Sequence, residues 1–513
     1  MTITAGTAHR PPKEALEEPR QATVVPPPVP TPEPPKRRPG QRIVAARAAL
    51  RHRFRSTVPA RLRLLRAATV LLAVALGTLL LVAGLAANGT WDAVADRDAP
   101  RTTSAAGLDL ALNDMDAQAA NILLSSGNGG TGELTTPHAK AVTLYGDARR
   151  EIGHDLRTLA AAAQGDRTDE KTVESITDNF AEYQELIGRA LENDRRADGK
   201  PDAIADYRHA TDLLRDSLLP DARKLVSSND TAFDSRYTAA RSALSAQLVA
   251  VLALGLPLLA VLGVVQWYLA RRFRRNLNPA LLAATVCALA AVVLGTQLLS
   301  STATHLKVAR HDAFDSVVAL SRARAIAYDA NADESRYLLD PQRRTRYADS
   351  FLAKSQELYG IKGATLSTYD AGLAATWQDY RTDATDPRFT GEFRRELDNI
   401  TFPGERAVAD KTVDAYAVYE RDDRKIRALL AAGEEQQAVE FCMGWEAGTS
   451  NAHFGAWMAA LDQVTDINRA HFISSVGEGR SELSGLLPWA CGLLCAAMAL
   501  AALGLRPRLA EFR

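Results

Sequence analysis

Two stretches of helical periodicity concentrate the polar groups with which this chain could recognise something. One holds Asp114, Asp116, Gln118 and Asn121; the other holds Asp329, Asn331, Asp333 and Arg336. Carboxylates, amides and a guanidinium gathered within about two helical turns make a polar patch, and such a patch can meet an amino-acid ligand or a binding protein as readily as water. These eight form the candidate ligand or partner surface. Metal and nucleophilic chemistry have less to stand on. His138, His154, His209, His305, His311, His453 and His471 make no HxxxH or HExxH pair, so no zinc site is expected. Of four cysteines, Cys287, Cys491 and Cys495 fall in apolar runs and Cys442 stands alone, which excludes a disulfide framework. No GxSxG, GxxxxGK or GxGxxG phosphate loop on a strand–helix unit is found, and no kinase or cyclase module follows any of the apolar runs. No catalytic, cofactor-binding or metal-binding residue is assigned, and the chain reads as a non-enzyme.

The elements that must position the eight are helices. Leu108, Ala111, Leu112, Met115, Ala119, Ile122 and Leu123 follow the 3,4 spacing of one apolar face, with Asp109, Asn113, Asp114 and Asp116 mostly off it. Breakers at Gly127–Gly132, Gly165–Asp169 and Ala197–Pro201 divide residues 88–247 into four long helices, most simply an up-down bundle. In residues 300–484 the breakers fall near Asp340–Thr345, Gly360–Gly363, Asp386–Phe389 and Phe402–Glu405, which predicts a second bundle with one extra short helix. The two segments also repeat one another. Val94, Ala95, Asp98 and Ala99 recur as Val308, Ala309, Asp312 and Ala313, and Leu144-Tyr145-Gly146 recurs as Leu358-Tyr359-Gly360. Asn229, Phe233, Arg241, Ser242 and Leu244 recur as Asn468, Phe472, Arg480, Ser481 and Leu483. A tandem of two units follows, with Asp98 and Asp312 expected at helix turns beside the membrane.

Four uncharged runs bracket these segments: 67–87, 248–269, 280–299 and 485–505. Each is about the 20 residues a helix needs to cross the hydrocarbon layer, and none holds an ionisable group of the kind that lines a pump or coupled transporter. The first lies too far along to be a cleaved signal peptide. Trp267, Tyr268 and Trp489 read as interfacial anchors, and Pro257 and Pro488 as tolerated prolines within spans. The chain has 513 residues and zero formal net charge, yet residues 1–66 hold 14 Lys/Arg against 4 Asp/Glu. The linker 270–279 carries four arginines, the tail 506–513 is basic, and 88–247 and 300–484 are acidic, at about −9 and −7. By the positive-inside rule both termini and the linker are cytoplasmic and both acidic segments lie outside. Eleven of the 23 prolines fall in residues 1–40, an extended, disordered tail; residues 41–66 read as a basic amphipathic helix on anionic lipid. With 50 Arg to 11 Lys and abundant alanine, the composition points to a GC-rich bacterium and to its plasma membrane.

The fold class expected is therefore all-α: four transmembrane helices with two extracytoplasmic four-helix-bundle-like domains in tandem repeat. A helical bundle between two spans resembles the sensor domains of bacterial chemoreceptors and histidine kinases, although no HAMP or output domain is present. The doubled form, with its Pro-rich basic tail, is similar to the actinobacterial four-pass membrane signalling proteins of the GlnX type. That resemblance rests on architecture and transfers no residue role. It implies a relay in which an extracytoplasmic amino-acid-binding lipoprotein, of the glutamine-binding kind, senses outside and a cytoplasmic Ser/Thr kinase, of the protein kinase G kind, responds inside. Partners are then the lipoprotein, the kinase and the lipid bilayer, with no nucleic acid and no cofactor. Two other readings stay open: an envelope-associated interaction protein, and an accessory subunit of an amino-acid ABC importer.

Overall fold

Four long helical rods dominate the molecule, and the uncharged runs lie within them. The computed structural model describes residues 58–126, 134–164, 166–273, 278–385 and 388–510. The Pro-rich tail 1–40, the basic stretch from 41 to 57, the Gly127–Gly132 break, the linker residues 274–277 and the last three residues lie outside the described residues. Residues Leu62–Arg513 form one compact unit. Among the described residues there is no strand, only one antiparallel bridge between Gly360 and Thr390.

The first rod joins α1 (Val58–Ala93) to α2 (Ala99–Ser126) through a π segment, Val94–Asp98. After α3 (Thr135–Ala163) and α4 (Arg167–Asp194), the second rod joins α5 (Lys200–Leu213) through a π segment, Leu214–Leu218, to α6 (Leu219–Phe273). The third joins α7 (Pro279–Lys307) through Val308–Phe314 to α8 (Asp315–Leu339). Then come a 3₁₀ turn (Pro341–Arg343), α9 (Arg344–Leu358), α10 (Tyr369–Thr382), α11 (Glu392–Asn399), α12 (Glu405–Ala431) and α13 (Glu435–Met443). The fourth rod is α14 (Ser450–Ala510). Each rod contains a window apolar enough to cross a membrane, within 67, 72, 61 and 58 continuous helical residues. About 20 residues suffice for the crossing, so each rod projects well beyond the bilayer as unbroken helix.

That continuity corrects the expectation of helix turns at Asp98 and Asp312. Both residues belong to π segments, and the chain runs straight through them. Two of the three π segments have a visible cause. The Ala99 amide bonds back five residues to Val94 O and precedes Pro100; the Leu219 amide bonds to Leu214 O and precedes Pro220. A proline has no N–H to continue the α ladder, and one widened turn absorbs the loss without breaking the helix. The third, ending with Asp315 N–H on Arg310 O, has no proline after it.

The first inter-span segment has the four helices expected. Asp166 caps α4, its carboxylate accepting from the Thr168 and Asp169 amides at 2.9 and 3.3 Å. The second departs from expectation by holding three short helices, α10, α11 and α13, instead of one. The connections after α12 and α13 pass through Gly433 and Gly448, at φ +80° and +91°, which only glycine adopts without strain.

Small residues let the apolar parts of the rods approach. A Cβ on Gly84 would meet Leu487 at 2.4 Å, on Gly295 Leu80 at 2.8 Å, and on Gly255 Val292 at 2.6 Å, so the first rod touches the third and fourth, and the second touches the third. Leu71, Leu85, Leu256, Val286 and Trp489 point outward as an exposed apolar belt. Asn278 caps α7 through Ala280 N (3.1 Å) and ties it to the far end of α14 by donating to Gly504 O at 2.9 Å.

Beyond the apolar parts the two inter-span segments merge. Helices α2 and α8 lie side by side at the centre, with α3 against α2, and α9 and α14 against α8. Aromatic residues fill the second segment's core, where Tyr416, Tyr419, Phe454 and Trp457 surround one another at centroid distances of 4.9–5.8 Å. The seam between α2 and α8 is polar, and it holds the candidate site.

Candidate functional site

Of the eight candidate residues, six are buried and Asp114 and Asp329 are half-buried. They line no solvated face. The structure brings the two quartets together across the α2–α8 seam, centred on Arg336, one of the largest fully buried side chains in the chain. Its guanidinium pairs with Asp116 of α2, donates to Asp333 at 2.6 Å, reaches Asp329 at 3.4 Å and donates from Nε to the Tyr207 hydroxyl at 3.1 Å. Asp116 also accepts from Tyr183 at 2.7 Å and Tyr207 at 3.3 Å. Lys354 of α9 closes the other side, with Nζ at 2.5 Å from Asp333 and 2.6 Å from Asp329. Arg215, in the second π segment, stands 3.9 Å from Asp333.

Three cations therefore face three carboxylates. A buried ion carries a desolvation cost of several kcal/mol that only close, hydrogen-bonded partners offset; Arg336 and Lys354 supply such partners to all three carboxylates, and the partly exposed Arg215 adds a longer contact. Burial alone would raise the Asp329 carboxyl, but Lys354 and Arg336 outweigh it and hold it below its ordinary range. Burial and then the charge of Asp116 push the Tyr183 and Tyr207 hydroxyls upward, so both stay protonated donors. Asn121 adds a neutral link, accepting from the Ser335 hydroxyl at 2.6 Å. Gln118 donates to Asp114 at 2.8 Å, and burial raises Asp114 to about 6.

Sequence reasoning missed Tyr183, Tyr207, Arg215 and Lys354. One signal was available: from residue 102 to 126 the chain has three aspartates and no Lys or Arg, so its charges need partners from elsewhere. Further bolts join the same two segments. Arg208 pairs with Asp340, whose carboxyl also accepts from Tyr347 at 3.2 Å, and Arg343 and Arg346 reach Asp212 at 3.2 and 3.3 Å.

A second constellation lies at the π segments, where the rods emerge from their apolar parts. Arg310, buried, pairs with Asp315, with Asp230 of α6 at 2.9 Å, and lies over the Phe233 ring. Phe314 packs between Phe233 and Phe472, 5.2 and 5.4 Å from each, so second, third and fourth rods meet at one ring. Asp98 pairs with Arg236, while Asp312 pairs with Lys307 at 2.9 Å. Arg480 of α14 reaches Asp92 and Asp96 of the first rod at 2.8 and 3.1 Å. His311 touches Asp315 (2.8 Å) and packs edge-on against the Tyr237 ring, His453 touches Asp422 (2.6 Å) and His138 Ser125 (3.0 Å). Among the described residues no group of three or more His, Cys, Asp or Glu is placed to hold a metal ion.

The polar seam lies between α2 and α8, which run on through their π segments into the apolar helices α1 and α7. No curated protein and no solved structure matches the chain. Residues 90–238, from the end of α1 through the first part of α6, are similar to the actinobacterial sensor domain family, which with four helices apolar enough to span a bilayer supports a membrane sensor or signalling role.

Proposed function

We propose that the chain is a transmembrane signal relay. The acidic segments lie outside an actinobacterial plasma membrane and respond to amino acids, directly or through a substrate-binding lipoprotein, and the rods pass the response to a cytoplasmic Ser/Thr kinase. The observation that carries this reading is the continuity of α2 and α8, which meet at the Arg336 seam, with the apolar helices α1 and α7. A bundle held by a buried charge network has discrete packing alternatives, and a ligand that binds two of them unequally shifts their populations. The paired positions at Val94 and Val308, each opening a π segment, support descent of the two units from one duplicated sensor. A passive envelope anchor has no need of polar seams aligned with its spans.

The test is output. Addition of L-glutamate or L-glutamine to the medium should change phosphorylation of the kinase's substrates in cells carrying the chain, and the change should vanish when the chain is deleted. An unaltered response in the deletion would reject the relay.

A further inference from the structure

Where the short helix α11 meets the third and fourth rods, two buried glutamates face each other. Glu396 of α11 is 4% exposed and Glu405, at the start of α12, is 0% exposed. Glu405 is firmly held: its carboxylate accepts from the Thr401 and Phe402 amides at 2.9 and 3.0 Å and from Asn468 of α14 at 2.5 Å. Glu396 is not. Neither of its oxygens completes a close hydrogen bond, and the polar groups that act on it are the Ser316 hydroxyl of α8 and the Glu405 carboxyl itself. Ser316 Oγ already accepts from Asn399 at 2.8 Å, which leaves its own hydrogen for Glu396.

The charges nearby are engaged with one another. Glu392 of α11 takes Arg395 at 2.9 Å and Arg322 of α8 at 3.8 Å, with Glu357 of α9 also acting on it, and Arg394 pairs with Asp398 at 2.5 Å. On the third rod Asp315 pairs with Arg310 and His311. On α12 Arg406 donates to the Tyr380 hydroxyl at 3.1 Å and faces Asp410, and on α14 His471 stacks on Phe402 with centroids 3.9 Å apart. No cation is among the groups that act on Glu396. Two carboxyl groups side by side in a buried site hold together through a shared proton and repel without it. Burial above all, then the charge of Glu405, raises Glu396 to about 7 against the pull of the Ser316 hydroxyl. A cavity of about 400 Å³, lined by Ser316, Arg395, Glu396 and Asp398 among others, gives protons a path to the pair.

We propose that Glu396 and Glu405 form a proton-operated clasp: with a proton shared between them α11 is fastened to the third and fourth rods, and without it the two carboxylates repel and α11 loosens from both. Only an O–H bond breaks, and the proton leaves to water through the cavity. The element is suited to such movement, being eight residues long between Gly391 at φ +99° and Gly404 at φ +85°. Phe393 and Leu397 anchor its other side in the aromatic core, so the segment stays folded while the polar side lets go. Ser316 stands just past the π segment Val308–Phe314, where the third rod leaves its apolar part, so the clasp acts on the rod at that exit. The inference goes beyond the amino-acid relay. Its ligand is the proton of the compartment that segment 300–484 faces, and Ser316 lies 20 residues from Arg336 along α8, about 30 Å of helix.

Hydrogen–deuterium exchange on the full chain in lipid nanodiscs tests this, compared at pH 6 and pH 8 after correction for the intrinsic pH dependence of exchange. Peptides covering 391–400 should exchange at least about tenfold faster at pH 8, and peptides of the first segment should show no such step. Glu396→Gln, a neutral isostere of the protonated form, should exchange slowly at both pH values, and Glu405→Gln, which removes the facing carboxylate, should likewise lose the step. Equal corrected exchange at pH 6 and pH 8 in the native chain would overturn the clasp whether or not a variant folds. So would a step of equal size in the first segment, or one that persists in a folded Glu396→Gln chain. The amino-acid relay is decided separately, by kinase output in cells.

Discussion

Arg336 is the cation at the centre of the seam, pairing with Asp116 across it and with Asp333 on its own helix, where Lys354 also reaches. Removing one member of a buried charge network strands the rest, at a cost of ~3–5 kcal/mol, whereas one hydroxyl hydrogen bond to a carboxylate contributes ~1.5–3 kcal/mol. Arg336→Ala should therefore lower the thermal midpoint of the purified chain more than Tyr183→Phe, which removes only the bond to Asp116, in circular dichroism melts of detergent-solubilised protein. Equal, small shifts would show the network to be incidental. Protonation offers an independent check. Burial raises Asp109, Asp114 and Asp155 to about 6, and Glu396 and Glu420 to about 7. Between about pH 4 and 7 the native chain keeps protons that the unfolded chain has released, so stability falls as pH rises through that window and levels off above it. Asp155→Asn, which also gives the orphaned Oδ2 position a neutral group, should flatten part of that slope. A melting temperature that climbs from pH 5 to 7 would contradict these shifts.

At the scale of helices, close packing of the rods can be tested with two glycines two residues apart on α14. A Cβ at Gly479 would lie 2.2–2.9 Å from the buried Trp91 ring, while Gly477 has nothing within 4 Å. Gly479→Ala should destabilise the contact between first and fourth rods, and Gly477→Ala should be neutral or stabilise by up to ~1 kcal/mol through helix propensity. Matching melts for the two variants would refute this packing. The apolar rods and most helix ends were legible in the sequence, because uncharged runs and clusters such as Gly165–Asp169 act locally. The breaks at Gly433 and Gly444–Thr449 were not read, since each is a short Gly-containing interruption between helical stretches. The π segments escaped because no residue pattern marks a widened turn: two of them come just before a proline, Pro100 and Pro220, and the third does not. The seam escaped for a different reason. Asp116 and Arg336 are 220 residues apart, and a polar helix face looks the same in a sequence whether water or another helix covers it. The polar face of α2 is as buried as its apolar one.

The whole molecule stands or falls as a relay. Topology is the first requirement: reporters fused after Arg275 and at the C-terminus should report cytoplasm, and those near Gly129 and Gly404 the outside. Inward contact is the second. Residues 1–66 make the largest segment expected inside, with a Pro-rich strand suited to docking, so deleting residues 2–40 should spare membrane insertion and abolish capture of the kinase. The most direct measurement joins both ends. In cells lacking the chain and complemented with the native form, extracellular L-glutamate or L-glutamine should change substrate phosphorylation by the Ser/Thr kinase. The same addition should leave it unchanged with an empty vector, and with the form lacking residues 2–40. Equal amino-acid-dependent phosphorylation in all three strains would contradict the account.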